Sequence, residues 1–226
     1  MASKKTHSKT PNKAHVTLVK RHFSKKEAIK FGFGVAKSNI LFFLSVFVVW
    51  AFVTLISQGL ETSLNAEKQV LASFLVSVVM WILGSIISMG VIFITLQFVD
   101  KKKPKLKDVF YTKNLFNYIL SSIMKTIIIV IGFILFIIPG IIFAIKLQYA
   151  GYLIVDKQKG AVDSLKGSWK MTKGVKWNLF LFGLLLGVIN ILGFFALLIG
   201  LLITVPLSMV ANAYVYRKLL SQVNLK

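Results

Sequence analysis

Apolar residues occur along the chain in runs near 20 residues long, separated by short basic segments. An α-helix rises 1.5 Å per residue, so about 20 apolar residues cross the ~30 Å hydrocarbon core of a bilayer. Runs of this kind predict membrane-spanning helices. They lie at residues 38–58, 70–99, 117–138, 141–155 and 178–216.

The last run contains 39 residues without a formal charge. As one helix it would be about 58 Å long, nearly twice the hydrocarbon thickness. We therefore expect two helices with a turn near Gly193–Gly200, and six spans in total. Pro139 and Gly140 predict another helix break, because proline ends a helix and glycine permits a turn. Pro206 predicts a kink in the last span.

The composition agrees with a membrane protein. Of the 226 residues, 56% are hydrophobic and only 15% are charged, with a mean hydropathy of +0.77. A soluble domain carries about 25% charged residues, so most water-soluble enzymes and binding modules are excluded. The expected fold is all-α and polytopic, with six transmembrane helices arranged as three hairpins and with interfacial amphipathic helices on the cytoplasmic side.

The charges predict the orientation. The chain has 28 Lys and Arg against 7 Asp and Glu, and 25 of these cations lie in residues 1–37, 100–113, 156–176 and 217–226. On the opposite side of the membrane the predicted loops hold Lys68 alone. Cytoplasmic loops carry the excess of Lys and Arg, so both termini are expected in the cytoplasm, in the cell membrane.

Three regions follow from these patterns. Residues 1–22 are basic and lack an apolar run, which predicts a disordered cytoplasmic tail. Residues 23–218 form the six-helix transmembrane domain, and residues 219–226 form a short cytoplasmic tail. The basic tail lacks interleaved aromatic residues, so binding to nucleic acid is not favoured and attraction to an anionic membrane surface is the simpler interpretation.

The segment Ala161–Lys173 predicts an interfacial helix. Val162, Leu165 and Trp169 recur at helical spacing on one face. A helix of this kind lies at the headgroup level and holds its cations against anionic lipid. The alternative is a solvated loop. The candidate contacts with anionic lipid are Lys166, Trp169, Lys170 and Lys173.

Similar segments precede each pair of spans. One acidic residue, Glu27, Asp108 or Asp163, stands before each pair. This order favours three units, each an interfacial helix followed by a hairpin. The alternative is that any membrane hairpin begins with a lysine and an apolar run.

Two lysines, Lys125 and Lys146, lie within predicted spans. A lysine at a helix centre costs about 2.5–3.5 kcal/mol on insertion, so each either extends to the interface or faces protein. A Lys146 that faces the bundle would suit an anionic solute or a lipid headgroup. Asn190 and Asn212 can form hydrogen bonds across helices, and with the two lysines they complete a candidate intramembrane polar site.

Catalytic groups are scarce. The chain has no cysteine, and its histidines, at positions 7, 15 and 22, all lie in the tail. A carboxylate pair could come only from Asp100, Asp108, Asp156 and Asp163 at the cytoplasmic face. We therefore expect no catalytic, metal or cofactor site, and no enzyme.

The second half of the chain contains a series of short motifs. They are Ile137–Ile142 around the Pro-Gly pair, Lys146, Tyr152–Asp156, Ser168–Trp169, Pro206–Ser208 and Tyr214–Lys218. This series resembles the membrane domain of the glycerophosphoryl diester phosphodiesterase family and related prokaryotic six-span proteins. The resemblance implies six helices in a cell membrane. It implies no hydrolase activity, because the family's soluble catalytic domain is not seen in this sequence.

These features favour an accessory or scaffold protein of the cytoplasmic membrane that engages anionic lipid, with an unidentified membrane-protein partner. The first alternative is a small transporter or channel for an anionic solute or lipid. A third hypothesis, a membrane enzyme acting on lipid phosphodiesters, lacks visible catalytic groups.

Overall fold

The structure is a computed structural model that describes residues 21–63, 69–196 and 200–223. In these ranges the chain forms nine α-helices and one 3-10 helix, and no strand. The α-helices are α1 (Lys25–Ser38), α2 (Ile40–Ser63), α3 (Val70–Val99), α4 (Leu115–Leu135), α5 (Ile137–Leu147), α6 (Ala150–Lys157), α7 (Ala161–Thr172), α8 (Lys176–Phe195) and α9 (Leu201–Leu220). The 3-10 helix (Leu106–Phe110) lies between α3 and α4. The predicted all-helical fold is confirmed for these residues.

Five segments are long and apolar enough to cross a membrane. They are Ile40–Leu60 in α2, all of α3, all of α4, Ile137–Lys157 in α5 and α6, and all of α8. The sixth predicted span corresponds to α9, which is less apolar because it contains Asn212 and carries Arg217 and Lys218 in its last turn. By length and composition the chain is therefore compatible with a membrane protein, and a sixth crossing stays a prediction.

The long apolar run at the end of the chain is divided as expected. It forms α8 and α9, and the predicted turn falls between them, although residues 197–199 lie outside the described residues. Gly193 and Gly200 meet where the two helices are joined: a Cβ atom on Gly200 would lie 2.5 Å from the carbonyl oxygen of Gly193. A side chain at this position would push the two helices apart.

The helix break predicted at Pro139 and Gly140 occurs three residues earlier. Phe136 has extended backbone angles between α4 and α5, and Pro139 lies in the first turn of α5. Proline is tolerated there because the first N–H groups of a helix have no partner within it. Gly140 instead allows the two helices to approach, since a Cβ atom at this position would overlap the ring of Phe133.

One further expectation is corrected in detail. The apolar run at residues 141–155 is not one helix, because α5 ends at Leu147 and α6 begins at Ala150. Pro206 lies inside α9, which continues through it to Leu220, and the kink there stays a prediction.

The helices α1 and α9 pack closely through small residues. The buried face of α1 consists of Ala28, Gly32 and Ala36. A Cβ atom on Gly32 would lie 2.5 Å from the carbonyl oxygen of Leu207, so the two backbones are in contact here. Thus α1, which was expected to be an interfacial helix, is also part of the helical bundle.

The order of elements matches the predicted units in outline. The helix α1 precedes the pair α2–α3, the 3-10 helix precedes α4–α5, and α7 precedes α8–α9. The main buried core draws on α1, α3, α4, α6, α7, α8 and α9. Large apolar side chains stay exposed on the long helices, such as Leu41 at 76% and Ile134 at 78%. This distribution suits helices whose outer surfaces contact lipid.

Candidate functional site

The break between α5 and α6 is stabilised by hydroxyl groups of α7. The Ser168 hydroxyl donates to the carbonyl oxygen of Lys146 at 2.7 Å and accepts the backbone N–H of Tyr149 at 3.1 Å. The Thr172 hydroxyl lies 3.4 Å from the same carbonyl oxygen. These side chains replace helical hydrogen bonds that are lost at the break, as buried backbone groups require.

Further polar contacts hold α7 against α4. The hydroxyl groups of Ser121 and Ser164 are 3.1 Å apart and both side chains are buried. The N–H of Ala161 donates to the side-chain oxygen of Asn117 at 3.1 Å, at the start of α7. The buried face of α7 is made mainly of small residues: Ala161, Ser164, Leu165, Gly167, Ser168, Met171 and Thr172.

The three apolar residues of the predicted face of α7 differ in burial. Leu165 is 6% exposed, but Val162 is 45% exposed and Trp169 is 39% exposed. The helix is buried through its hydroxyl-bearing side because Ser164 and Ser168 have polar partners on α4 and at the break. Val162 and Trp169 are left on the outward side together with the lysines.

The outward side of α7 carries the predicted lipid contacts. Lys166, Trp169, Lys170 and Lys173 are all exposed. At the end of α7 the guanidinium group of Arg21 donates to the carbonyl oxygens of Lys170, Met171 and Lys173, the last at 2.9 Å. Arg21 thus adds a cation where the helix dipole is negative.

Lys146 lies against this same surface. Its ammonium nitrogen is 3.4 Å from the centroid of the Trp169 ring, a cation–π contact. Lys125 is half-buried on α4, and no ion pair to either lysine occurs within the described ranges. Lys146 thus contacts α7, whereas the two asparagines of the predicted polar site bond to Ser208 of α9.

The asparagines meet at Ser208. The Asn190 side-chain amide donates to the Ser208 hydroxyl at 3.0 Å, which joins α8 to α9 as predicted. Asn212 instead donates to the Ser208 carbonyl oxygen at 2.9 Å, within its own helix. Gly183 and Gly187, whose spacing suggests a close helix contact, have open space at their Cβ positions.

A cluster of ion pairs joins α3, α6 and α9. The Arg217 guanidinium group donates to both carboxylate oxygens of Asp100, at 2.9 and 2.6 Å, and lies 2.6 Å from Asp156. The Tyr216 hydroxyl donates to Asp156 at 2.9 Å. Asp100 and Asp156 are thus brought together as the counter-charges of an arginine. The sequence pattern does not reveal this pairing, because Asp100, Asp156 and Arg217 are far apart along the chain.

The other two cytoplasmic carboxylates lie elsewhere. Asp163 is exposed on α7. Asp108 accepts the N–H of Lys105 at 2.9 Å and the side-chain amide of Gln97 at 3.0 Å. Burial opposes ionisation of Asp108, but these hydrogen bonds and nearby lysines outweigh it and lower its pKa. In the described part of the chain no three metal-ligating side chains cluster.

The helix break also contains unsatisfied polar atoms. The amide nitrogen of Gln148 and the hydroxyl group of Tyr149 are buried, and neither has a hydrogen-bond partner among the described residues. Buried polar groups without partners are uncommon, and the α5–α6 break places two of them on consecutive residues.

A family described as a domain of unknown function, DUF7847, matches residues 31–223. The chain is also similar to two uncharacterized proteins, Rv2560 of Mycobacterium tuberculosis and Mb2590 of Mycobacterium bovis. Each is 28% identical over 136 residues, covering 58% of this chain. The chain spans about two fifths of the length of these curated relatives, since the matches cover 40% of them. No solved structure matches the chain. The resemblance to the phosphodiesterase membrane domain stays a prediction.

Proposed function

The chain belongs to the DUF7847 family, whose function is unknown, and we propose that it is a non-catalytic accessory or scaffold protein of the cytoplasmic membrane. In this proposal it binds anionic phospholipid headgroups through the outward side of α7. Its membrane-protein partner is unidentified.

The observation that carries the proposal is the way α7 is fixed. Its hydroxyl-bearing side is buried against α4 and the helix break, so its opposite side faces away from the protein. That side presents Lys166, Lys170 and Lys173 next to the exposed ring of Trp169. Lysines beside an interfacial tryptophan are typical of surfaces that lie against anionic headgroups.

The magnitude is sufficient for selectivity. Each lysine close to an anionic surface contributes about 1 kcal/mol, so the three lysines of α7 contribute about 3 kcal/mol together. This corresponds to a preference of roughly 150-fold for an anionic over a neutral surface. Salt reduces the preference, because exposed charges are screened within about 10 Å at 0.1 M.

The proposed topology has six spans with both termini in the cytoplasm. It is supported by the 25 of 28 cations that lie in the four predicted cytoplasmic segments. In this topology α9 is the sixth span, and its last turn, with Arg217 and Lys218, emerges on the same side as α7.

A comparison of two triple variants tests the proposal. The first, Lys166→Gln/Lys170→Gln/Lys173→Gln, removes the charges of α7. The control, Lys101→Gln/Lys102→Gln/Lys103→Gln, removes three exposed charges after α3. Each protein is extracted mildly from membranes containing phosphatidylglycerol and phosphatidylcholine, and the retained lipids are counted by native mass spectrometry. We expect loss of phosphatidylglycerol enrichment in the first variant alone. Equal enrichment in both variants would contradict the proposal.

A transporter for an anionic solute or lipid is the second candidate. The observation that favours it is the interrupted helix at Gln148 and Tyr149, with its unsatisfied polar atoms next to Lys146. Broken helices often form the substrate sites of transporters. Uptake of a labelled anion into proteoliposomes, lost in Lys146→Leu but retained in Lys125→Leu, would favour this candidate over a scaffold.

A further inference from the structure

An apolar cleft lies between α5 and α8. Its volume is about 320 Å³. Its walls are formed by Ile138, Ile141, Ile142 and Ile145 of α5 and by Trp177 and Phe180 of α8. This volume is at the lower limit of the roughly 300–1,000 Å³ of ligand pockets, so the cleft suits one narrow apolar group.

One end of the cleft is cationic. Lys176, the first residue of α8, lines the cleft and is exposed. Lys146 is the next residue on α5 after Ile145, which lines the cleft. No carboxylate forms an ion pair with either lysine in the described part of the chain. A lysine in the wall of the cleft and a second lysine next to that wall, neither in an ion pair, favour an anion here.

Lys146 can serve such an anion while it contacts Trp169. An ammonium group has three N–H donors, and a ring on one side leaves donors for an oxygen on the other. The ammonium nitrogen lies 3.4 Å from the ring centroid, so this contact limits the positions that the ammonium group can take. Lysine binds phosphate as a point charge, so a phosphate group needs no rigid fork of donors here.

A larger cleft in the same molecule provides a contrast. It has a volume of about 640 Å³ and lies between α2, α3 and α9, where its walls include Trp50, Ala51 and Pro206. No ionisable side chain lines it. It offers apolar volume without charge, and therefore gives no preference for an anionic occupant.

We propose that the cleft between α5 and α8 binds one acyl chain of an anionic phospholipid, whose phosphate lies between Lys146 and Lys176. The four isoleucines extend over about 10 Å of helix, which fits within the ~15 Å depth of one leaflet. A free phosphate ion would leave this apolar wall uncovered, whereas a phospholipid satisfies the wall and the charges together. The proposal rests on the proposed function in one respect, that this side of the molecule faces an anionic leaflet.

The test is a titration of the delipidated full-length protein with phosphatidylglycerol or with phosphatidylcholine of the same chains. The 1:1 lipid adduct is followed by native mass spectrometry. Lys176→Gln removes one charge at an exposed position, and about 1 kcal/mol per lysine predicts about fivefold weaker binding of phosphatidylglycerol. Ile142→Trp fills the cleft and is expected to abolish the adduct. Ala51→Trp, which fills the uncharged cleft, is the matched control and is expected to leave it unchanged.

The triple glutamine variant of α7 separates this site from the proposed function. We expect it to lose general enrichment in phosphatidylglycerol while it keeps the 1:1 adduct within about twofold of the original protein. The site is refuted if phosphatidylcholine forms the adduct as well as phosphatidylglycerol, or if Lys176→Gln binds phosphatidylglycerol unchanged. It is also refuted if the two tryptophan variants behave alike. None of these results depends on the enrichment due to α7.

Discussion

Replacing Ser168 by alanine tests how the break between α5 and α6 is stabilised. The Ser168 side chain is fully buried and joins the Lys146 carbonyl oxygen to the Tyr149 N–H. Alanine removes both hydrogen bonds and leaves two buried backbone groups without this partner. Each unsatisfied group costs about 1–3 kcal/mol. The contact of Thr172 with the same carbonyl oxygen, at 3.4 Å, reduces the loss, so we expect about 2 kcal/mol.

The assay is thermal unfolding of the purified protein in detergent. For a chain of this size about 2 kcal/mol corresponds to a Tm lower by roughly 4–8 °C. Ser45→Ala is the matched control, because the Ser45 hydroxyl donates to the Leu41 carbonyl oxygen within its own helix. We expect the control to change the Tm by less than about 2 °C, since that carbonyl keeps its helical bond. An equal Tm for Ser168→Ala and Ser45→Ala would refute the role of Ser168 at the break.

Three other predictions concern the packing and charges of the bundle. Gly32→Ala is expected to lower stability by about 1–3 kcal/mol because its Cβ atom would overlap a carbonyl oxygen of α9. Gly34→Ala, in open space, should be neutral or stabilising. A lower Tm for Gly32→Ala than for Gly34→Ala would support the close contact, and equal Tm values would contradict it. Arg217→Gln should cost about 2 kcal/mol by leaving two carboxylates close together, and a second change, Asp156→Asn, should restore part of the loss in denaturant unfolding. The pKa of Asp108 is lowered in the folded protein, so its ionised carboxylate stabilises the fold above pH ~4 and this stabilisation is lost as the pH falls further. Between pH 5 and 3 the Tm of Asp108→Asn should therefore fall less than that of the original protein. Parallel curves of Tm against pH would contradict this.

Local patterns were enough to predict the long helices. The second apolar run, at residues 70–99, has the same limits as α3, because apolar length and flanking charges define both ends. The division of the last run into α8 and α9 followed from length alone. These features depend only on neighbouring residues along the chain, so the length of an apolar run and its flanking charges are enough to predict them.

Features that depend on distant residues could not be predicted. No proline or glycine marks the break at Gln148 and Tyr149, and its backbone groups find partners about 20 residues later on α7. The buried side of α7 is chosen by hydroxyl pairs such as Ser121 with Ser164, which periodicity of apolar residues does not reveal. Helix packing likewise places Arg217 between two aspartates from α3 and α6.

The membrane topology of the chain underlies the whole account, and single cysteines measure it directly. The sequence contains no cysteine, so each introduced cysteine reports without background. Cysteine is placed at Ser63, Lys166 or Lys218 in separate variants, and intact and permeabilised cells are treated with a membrane-impermeant maleimide. We predict that Ser63→Cys is labelled in intact cells, and that Lys166→Cys and Lys218→Cys are labelled only after permeabilisation. Labelling of Lys166→Cys in intact cells would place α7 at the wrong surface and contradict the account, and labelling of Lys218→Cys alone would show that α9 does not cross.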